Sequence, residues 1–326
     1  MLACDIGGTK TVIGVFETGG KRPRSVAVET FDSREAAGIE MLIDRFKNLH
    51  PKPVSAVCMG IAGPVRDGVC RTTNLPWVVS ETSVAERFGW KRVRLLNDLT
   101  ATALAVPLLI DREISWLHHN AGDDFGNIGV VAPGTGLGMA LLIRHGGRNV
   151  PVPSEGGHAD FAPGTRDQFE LYRYLQIRLG HVSIERVLSG PGLVHIFSWL
   201  VDSGRYKMPD WAALDIDRAD PAKSITDAAR DHQVPSCLAA LNMFASILGA
   251  VCGNLALTGT TTGGIYLGGG IPPKIRFMLE NDAFMTAFTD KGRFKDYLAR
   301  IPVGIILNDK AALLGAACCA GACLRA

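Results

Sequence analysis

Two glycine–threonine turns and one Asn-Asp pair carry the chemistry open to this chain. The first turn is Asp5-Ile6-Gly7-Gly8-Thr9 and the second is Pro133-Gly134-Thr135-Gly136-Leu137-Gly138. Each lies between short apolar runs, Met1–Cys4 and Val12–Phe16 in one case, Ile128–Ala132 and Met139–Ile143 in the other. Strand, glycine turn, strand is the pattern of a β-hairpin. Glycine admits positive φ and lets the backbone approach a ligand closely. Threonine adds a hydroxyl, and successive backbone N–H groups in such a turn form a concave anion site. One Gly-Gly-Thr turn is most often only a tight hairpin. Its repetition in both halves is an organising feature and points to a polyphosphate clasped between two related domains. Neither turn ends in Gly-Lys-Ser/Thr or opens a helix, so neither is a Walker loop. The spacing of Gly134, Gly136 and Gly138, followed by a strand, disfavours a dinucleotide-binding fold.

Asn97-Asp98 directly follows a strand, Val93–Leu96, at the kind of strand end where open α/β sheets bind ligands. A carboxylate there is either a general base or the N-cap of a helix starting near Thr100; spacing alone does not separate the two. Asn97 reads equally as a ligand to a hydroxyl or as a turn residue. In Glu155-Gly156-Gly157-His158, the glycines permit a sharp turn that lets Glu155 and His158 face one ligand, although a histidine after Gly-Gly is more often structural. Metal binding by Glu155, His158 and Asp160 is a weaker alternative, with no third histidine in an obvious position.

These groups need an alternating α/β frame. Met1–Ile6, Thr11–Phe16 and Ser25–Phe31 read as three successive strands. Arg34–Leu49 reads as a helix capped by Ser33, with Ile39, Leu42, Ile43 and Phe46 on one face. Val54–Ala62 is a strand ending at Gly63-Pro64. Ser80–Phe88 is a helix with Ser80 as N-cap and Gly89 as its C-terminal stop. Thr100–Leu109 is a helix stopped by Pro107. Asp111–Gly126 reads as a polar crossover, with His118-His119 in a solvated loop. Helices follow at Gln168–Leu179, closed by Gly180, then at Glu185–Leu188, from Pro191 to about Val201, and at Pro235–Leu257. Asp202–Pro221 is loop-rich. Gly263–Leu267 and Val303–Leu307 are strands, and Lys310–Leu324 is a small-residue helix.

The whole chain sets bounds. Its 326 residues, 47% hydrophobic with 37 glycines, fit a compact α/β protein of one large or two ordinary domains. A net charge of +2 without a basic stretch implies no nucleic-acid partner. No apolar run reads as the roughly 18–20 residues of a membrane span; Ser246–Thr258 is interrupted by Gly249, Gly253 and Asn254. The N-terminus has no secretory pattern. The eight cysteines lack any C-x-x-C and read as buried thiols in a reducing cytoplasm. Zinc or other metal ligation by Cys318, Cys319 and Cys323 is disfavoured, because that run reads as a close-packed helix.

Together the motifs resemble the sugar kinase–actin–Hsp70 superfamily. Asp5–Lys10 resembles its first phosphate motif and Ala132–Gly138 its second. Leu267-Gly268-Gly269-Gly270-Ile271-Pro272 resembles the adenosine motif, and Lys310–Ala320 the second connecting helix. Leu95–Ala101, Ser154–Pro163 and Gly180–Gly192 narrow the resemblance to the bacterial ATP-dependent glucokinases of the non-ROK, group A kind. It runs from Asp5 to about Ala317. The chain departs from the family at Lys10, where asparagine is common, at Ser154, where glycine is common, and in the variant loop Gly270-Ile271-Pro272-Pro273. Unlike the ROK kinases, it has no cysteine-rich zinc motif after His158.

The resemblance implies a two-domain ribonuclease H-like (actin-like ATPase) α/β fold with a hinge and an interdomain cleft. It implies a small domain of residues 1–110 completed by 301–326, and a large domain of 111–300. The activity it implies is transfer of a phosphoryl group from ATP to the 6-hydroxyl of D-glucose, the first step of glycolysis. Another hexose, such as mannose, fructose or an N-acetylhexosamine, is the alternative. Asp98 becomes the catalytic base, and Asn97, Asp98, Glu155, His158 and Glu185 become sugar ligands. Asp5, Gly7, Gly8, Thr9, Lys10, Gly134, Thr135, Gly268, Gly269 and Gly270 become the ATP site, with Asp5 organising Mg²⁺ through water. Glucose and ATP are the implied partners, in a cytoplasmic homodimer. A kinase-derived transcription regulator is disfavoured, because the first turn begins at residue 5 and leaves no room for a helix-turn-helix. An actin–Hsp70 ATPase is disfavoured by the Glu-Gly-Gly-His loop.

Overall fold

A computed structural model describes residues 1–72, 75–120, 122–214 and 219–325. In chain order the strands are β1 (Leu2–Ile6), β2 (Lys10–Glu17), β3 (Arg24–Asp32), β4 (Val57–Ile61), β5 (Val69–Arg71), β6 (Val78–Ser80), β7 (Val93–Asn97), β8 (Ile114–His118), β9 (Ile128–Pro133), β10 (Leu137–His145), β11 (Arg148–Ser154), β12 (Ile265–Leu267) and β13 (Val303–Ile306). The helices are α1 (Ile39–Leu49), α2 (Glu81–Phe88), α3 (Asp98–Ala105), α4 (Arg166–Leu179), α5 (Gly190–Asp202), α6 (Pro221–His232), α7 (Pro235–Gly259), α8 (Arg276–Leu279), α9 (Asp282–Thr289), α10 (Lys295–Leu298) and α11 (Ala311–Arg325). Among the described residues the strands form sheets of order β3-β2-β1-β4-β7, β11-β10-β9-β12-β13-β8 and β5-β6. The chain divides into two compact units. The first comprises Met1–Ile114, Ala140–Pro153 and Asn308–Ala326, and the second Ser115–Met139 and Ser154–Leu307.

In the first unit β1 pairs antiparallel with β2 and parallel with β4, and β4 pairs parallel with β7. Parallel strands bury both faces, and alternation along β1 shows how. Leu2, Cys4 and Ile6 join the core formed with Ile39, Leu42, Ile43 and Phe46 of α1. Met1 and Ala3 point to the other face, against Leu313, Ala316, Ala317 and Ala320 of α11. Small residues bring α11 close to α3. A Cβ on Gly315 would fall on the carbonyl oxygen of Ala101, well inside van der Waals contact.

The second unit is organised by α7. Its buried Leu241, Phe244, Leu248 and Cys252 share a core with Phe284 and Phe288 of α9 and Leu193, Ile196 and Leu200 of α5. Gly249 and Gly253 face the carbonyl oxygens of Phe284 and Phe288, leaving no space for side chains. The sequence reading took these glycines as breaks in an apolar run. The helix expected over Pro235–Leu257 is present as α7 and runs through both glycines for 25 residues, which makes it, against expectation, long and apolar enough by composition to cross a membrane. However, 67% of its most apolar stretch is buried inside the protein, as in a core helix.

Several local expectations need correction. Ser33 does not cap a helix over Arg34–Leu49. Asp32 caps a single 3₁₀ turn at Ser33–Glu35, accepting from the Arg34 N–H, and α1 begins only after Gly38. Ser80 and Gly89 cap α2 as expected, Gly89 with φ of 69°. The stretch Asp111–Gly126 is not wholly loop, because it holds β8. There His118 is a strand residue whose Nε2–H donates to the Ala299 carbonyl at 2.8 Å. Glu185–Leu188 is a 3₁₀ turn at Ile184–Arg186 rather than an α-helix. Both β11 and α6 lacked a clear sequence signal. Residue 121 of the crossover and residues 215–218 of the loop-rich stretch lie outside the described residues. We expect Gly315→Ala to lower unfolding stability by about 1–3 kcal/mol through overpacking against α3, measured by chemical denaturation.

Candidate functional site

The parallel register of the first unit sets its half of the site. Ile6 pairs with Ile61, and Ile61 pairs with Asn97. Neighbouring strands lie about 4.8 Å apart. The first glycine turn and Asn97-Asp98 therefore leave the same edge of the sheet, two strands from each other. A Cβ on Gly60 of β4 would stand 3.3 Å from the Ala101 Cβ and 3.8 Å from the Asp98 Cα, so glycine there admits the start of α3 onto the sheet.

The capping alternative raised for Asp98 belongs to Asn97. Its Oδ1 accepts from the N–H groups of Leu99 at 3.0 Å and Thr100 at 3.3 Å, and its Nδ2–H donates to the Gly63 carbonyl at 3.2 Å. Asp98 occupies the first helical position, where its Oδ1 accepts from the Leu99 N–H at 2.8 Å and a negative charge suits the helix N-terminus. Burial pushes the Asp5 carboxyl up to about 7, and the charge of Asp98 adds to the shift. The two carboxylates thus act on one another across the strand ends.

The first turn is closed by the Gly7 N–H donating to the Lys10 carbonyl at 3.0 Å. Behind it stands Ser33, fully buried. The Ser33 hydroxyl donates to the Gly7 carbonyl at 2.8 Å and its N–H donates to the Thr9 carbonyl at 2.9 Å. That leaves the Thr11 hydroxyl as donor in its 2.8 Å contact with Ser33 Oγ. Among the described residues the N–H groups of Gly8 and Thr9 have no protein acceptor, as an anion-binding turn requires. Thr9 and Lys10 are exposed. Sequence reasoning missed Ser33 as a brace because a Ser directly before a helical-looking stretch, with Glu35 in its first turn, is also a normal cap.

In the second unit, the turn after β9 closes with the Gly134 N–H donating to the Gly136 carbonyl at 2.8 Å. The N–H groups of Thr135 and Gly136 likewise lack protein acceptors among the described residues. Three other segments press on this turn. The Gly190 N–H donates to the Gly134 carbonyl at 2.8 Å. The Leu137 N–H donates to Glu185 Oε2 at 2.8 Å. Gly269, at φ of 80°, lies so close that a Cβ would be 2.5 Å from the Pro133 carbonyl oxygen, and the Gly268 N–H donates to Val131 at 2.9 Å. Gly268, Gly269 and Gly270 therefore run beside the strand that enters the second turn.

Gly156–His158 forms one 3₁₀ turn, in which the His158 N–H donates to the Glu155 carbonyl at 3.0 Å. Ser154 Oγ accepts from the Gly156 N–H at 3.0 Å. Gly157 packs directly on the Leu137 carbonyl, and a Cβ on Gly156 would be 2.7 Å from Met139 Sδ. The loop thus rests on the start of β10 and leaves Glu155 and His158 exposed. It is tied to the Glu185 segment by the Ile184 N–H donating to Ala159 at 2.9 Å. Asp160 pairs with His181 at 2.7 Å. A cavity of about 450 Å³ in the first unit, lined among others by Phe16, Arg22, Arg24, Lys310 and Leu313, contains none of these groups.

Removing the Ser33 hydroxyl strands the Gly7 carbonyl and the Thr11 hydroxyl. Ser33→Ala is expected to cost about 1–3 kcal/mol of stability, read from the urea midpoint, while Ser33→Thr retains most of it.

The family model described as Glucokinase matches residues 2–322. A glucokinase of Yersinia enterocolitica is 34% identical, covering 99% of this chain and 96% of its own length. One of Nostoc punctiforme is 35% identical, covering 98% of each. The crystal structure of a glucokinase from an Antarctic psychrotroph superposes with a TM-score of 0.87 at 31% identity, covering 98% of both chains. A ROK family glucokinase from Streptomyces griseus, solved with glucose and AMPPNP, has a TM-score of 0.62 at 22% identity over 98% of this chain and 99% of its own, and so shares the fold.

Proposed function

The chain belongs to the glucokinase family, and from that premise we propose that it transfers the γ-phosphoryl group of ATP to the 6-hydroxyl of D-glucose with Asp98 as general base. The observation that carries this reading is the register of β1, β4 and β7. It delivers an anion-binding turn and a carboxylate pair to one sheet edge, which is what phosphoryl transfer to a hydroxyl needs. In the reaction the 6-hydroxyl oxygen bonds to the γ-phosphorus, its proton passes to an Asp98 carboxylate oxygen, and the bond to the β–γ bridging oxygen breaks to release ADP.

The other groups hold and orient. Glu155 and His158, exposed on one short turn, offer a carboxylate and a ring N–H to sugar hydroxyls, as does the second oxygen of Glu185; the family resemblance adds Asn97 as a further sugar ligand. A site built of such groups rejects analogues that lack a hydroxyl. Gly7, Gly8, Thr9 and Lys10 of the first turn and Gly134 and Thr135 of the second receive phosphate oxygens. Gly268, Gly269 and Gly270 leave room for adenine and ribose. A divalent cation held through water fits Asp5, since its charge would offset the burial that raises the Asp5 carboxyl. Mg²⁺ so held would supply charge neutralisation on the phosphates.

The finer assignment is a non-ROK kinase of the actin-like ATPase superfamily, with domains 1–110 plus 301–326 and 111–300. That assignment, the cytoplasmic location and the homodimer rest on the family resemblance.

The test is ADP release from Mg-ATP with glucose, mannose, fructose, N-acetylglucosamine, N-acetylmannosamine or no sugar. Turnover confined to glucose supports the reading, preference for another hexose redirects it, and sugar-independent hydrolysis overturns the sugar assignment. Asp98→Ala should lower kcat by about a hundred- to ten-thousandfold while glucose binding remains measurable by calorimetry. Near-normal turnover would remove Asp98 as the base.

A further inference from the structure

We propose that Glu185, beyond its assignment as a sugar ligand, is a positioning residue that holds the second phosphate turn in its binding shape. This rests on the reading of Gly134–Gly136 as a phosphate site.

Glu185 Oε2 accepts from the Leu137 N–H at 2.8 Å, at the point where the turn becomes β10. The contact exists because residue 136 is glycine: a Cβ there would lie 2.5 Å from the same Oε2. The Glu185 backbone is itself fixed. Its carbonyl accepts from the hydroxyl of buried Ser189 at 2.8 Å, and Ser189 caps α5 by accepting from the Gly192 N–H at 3.0 Å. One residue on, the Gly190 N–H donates to the Gly134 carbonyl at 2.8 Å. Residues 185–190 therefore grip the turn at both ends, at Gly134 and at Leu137. The two N–H groups between those grips, of Thr135 and Gly136, have no protein acceptor among the described residues.

A carboxylate beside a phosphate site opposes the phosphate by charge. A grip and a charge therefore make opposite predictions. If Glu185 acts on the nucleotide only through charge, every neutral replacement tightens nucleotide binding. If it acts as a grip, only replacements that lose the Leu137 contact weaken it. A residue that only binds sugar leaves nucleotide binding unchanged when no sugar is present.

The experiment is calorimetric binding of Mg-AMPPNP without sugar to the wild type, Glu185→Gln, Glu185→Asp and Glu185→Ala, with thermal melts to confirm folding. Glu185→Gln keeps an oxygen acceptor at the same reach, whereas aspartate is one methylene short. We expect Glu185→Ala and Glu185→Asp to weaken Mg-AMPPNP by about five- to tenfold, and Glu185→Gln to bind as well as the wild type or better. Wild-type affinity in folded Glu185→Ala or Glu185→Asp, or tightening in both neutral variants, Glu185→Gln and Glu185→Ala, overturns the grip alone. If Glu185→Ala does not fold, the Gln and Asp pair decides. Failure of the wild type itself to bind Mg-AMPPNP overturns the phosphate reading and this inference with it.

Discussion

A turn that binds an anion through its backbone must keep N–H groups unsatisfied by the protein, and so gives up the hydrogen bonds that would otherwise hold its shape. The rest of this structure is arranged around that deficit. Each turn keeps one internal bond, Gly7 to Lys10 in the first and Gly134 to Gly136 in the second. Each is then held from outside. Buried Ser33 bonds the carbonyls of Gly7 and Thr9. In the second unit the bonds come from Glu185 and Gly190. The groups used for bracing are the carbonyls of Gly7, Thr9 and Gly134 and the N–H of Leu137, which leaves the N–H groups of Gly8, Thr9, Thr135 and Gly136 without protein acceptors among the described residues.

Close backbone contact is what makes such bracing possible, and glycine is the means. Gly136 admits the Glu185 carboxylate, Gly157 admits the Leu137 carbonyl and Gly269 admits the Pro133 carbonyl. At Gly157 and Gly269 a β-carbon would meet a backbone oxygen, a cost no rotamer change relieves, whereas at Gly136 it would meet the tip of the Glu185 side chain and push the carboxylate off the turn. Gly60 has the same purpose on the first sheet, where it lets α3 begin close to β4 and sets Asp98 over the strand ends.

How much of this could be read from the residues depends on where each signal resides. The glycine turns, the helix caps at Ser80 and Gly89, and the burial of Ile39, Leu42, Ile43 and Phe46 are local patterns, and they appear where expected. Ser33 and Asn97 were ambiguous because their short polar side chains serve caps, turns and long-range bonds alike. Only the fold decides, giving Asn97 to α3 and Ser33 to a turn 26 residues earlier. The strands β8 and β11 are short and mixed in polarity, so their pairing depends on neighbours distant in sequence, which no local window contains. Glycines 249 and 253 read as interruptions because their partners, the carbonyls of α9, come more than thirty residues later.

The covering of the first sheet also sets an order of assembly. One face of β1 and β4 is closed by Leu313, Ala316, Ala317 and Ala320 of α11, which are synthesised long after those strands. Until they leave the ribosome, the strands that carry Asp5 and support Asp98 have one face bare to solvent. The turn after β1 is thus made well before the helix that completes its platform. A nascent or truncated chain lacking α11 would hold every residue of the first half-site in sequence, yet lack the packed platform that aligns them.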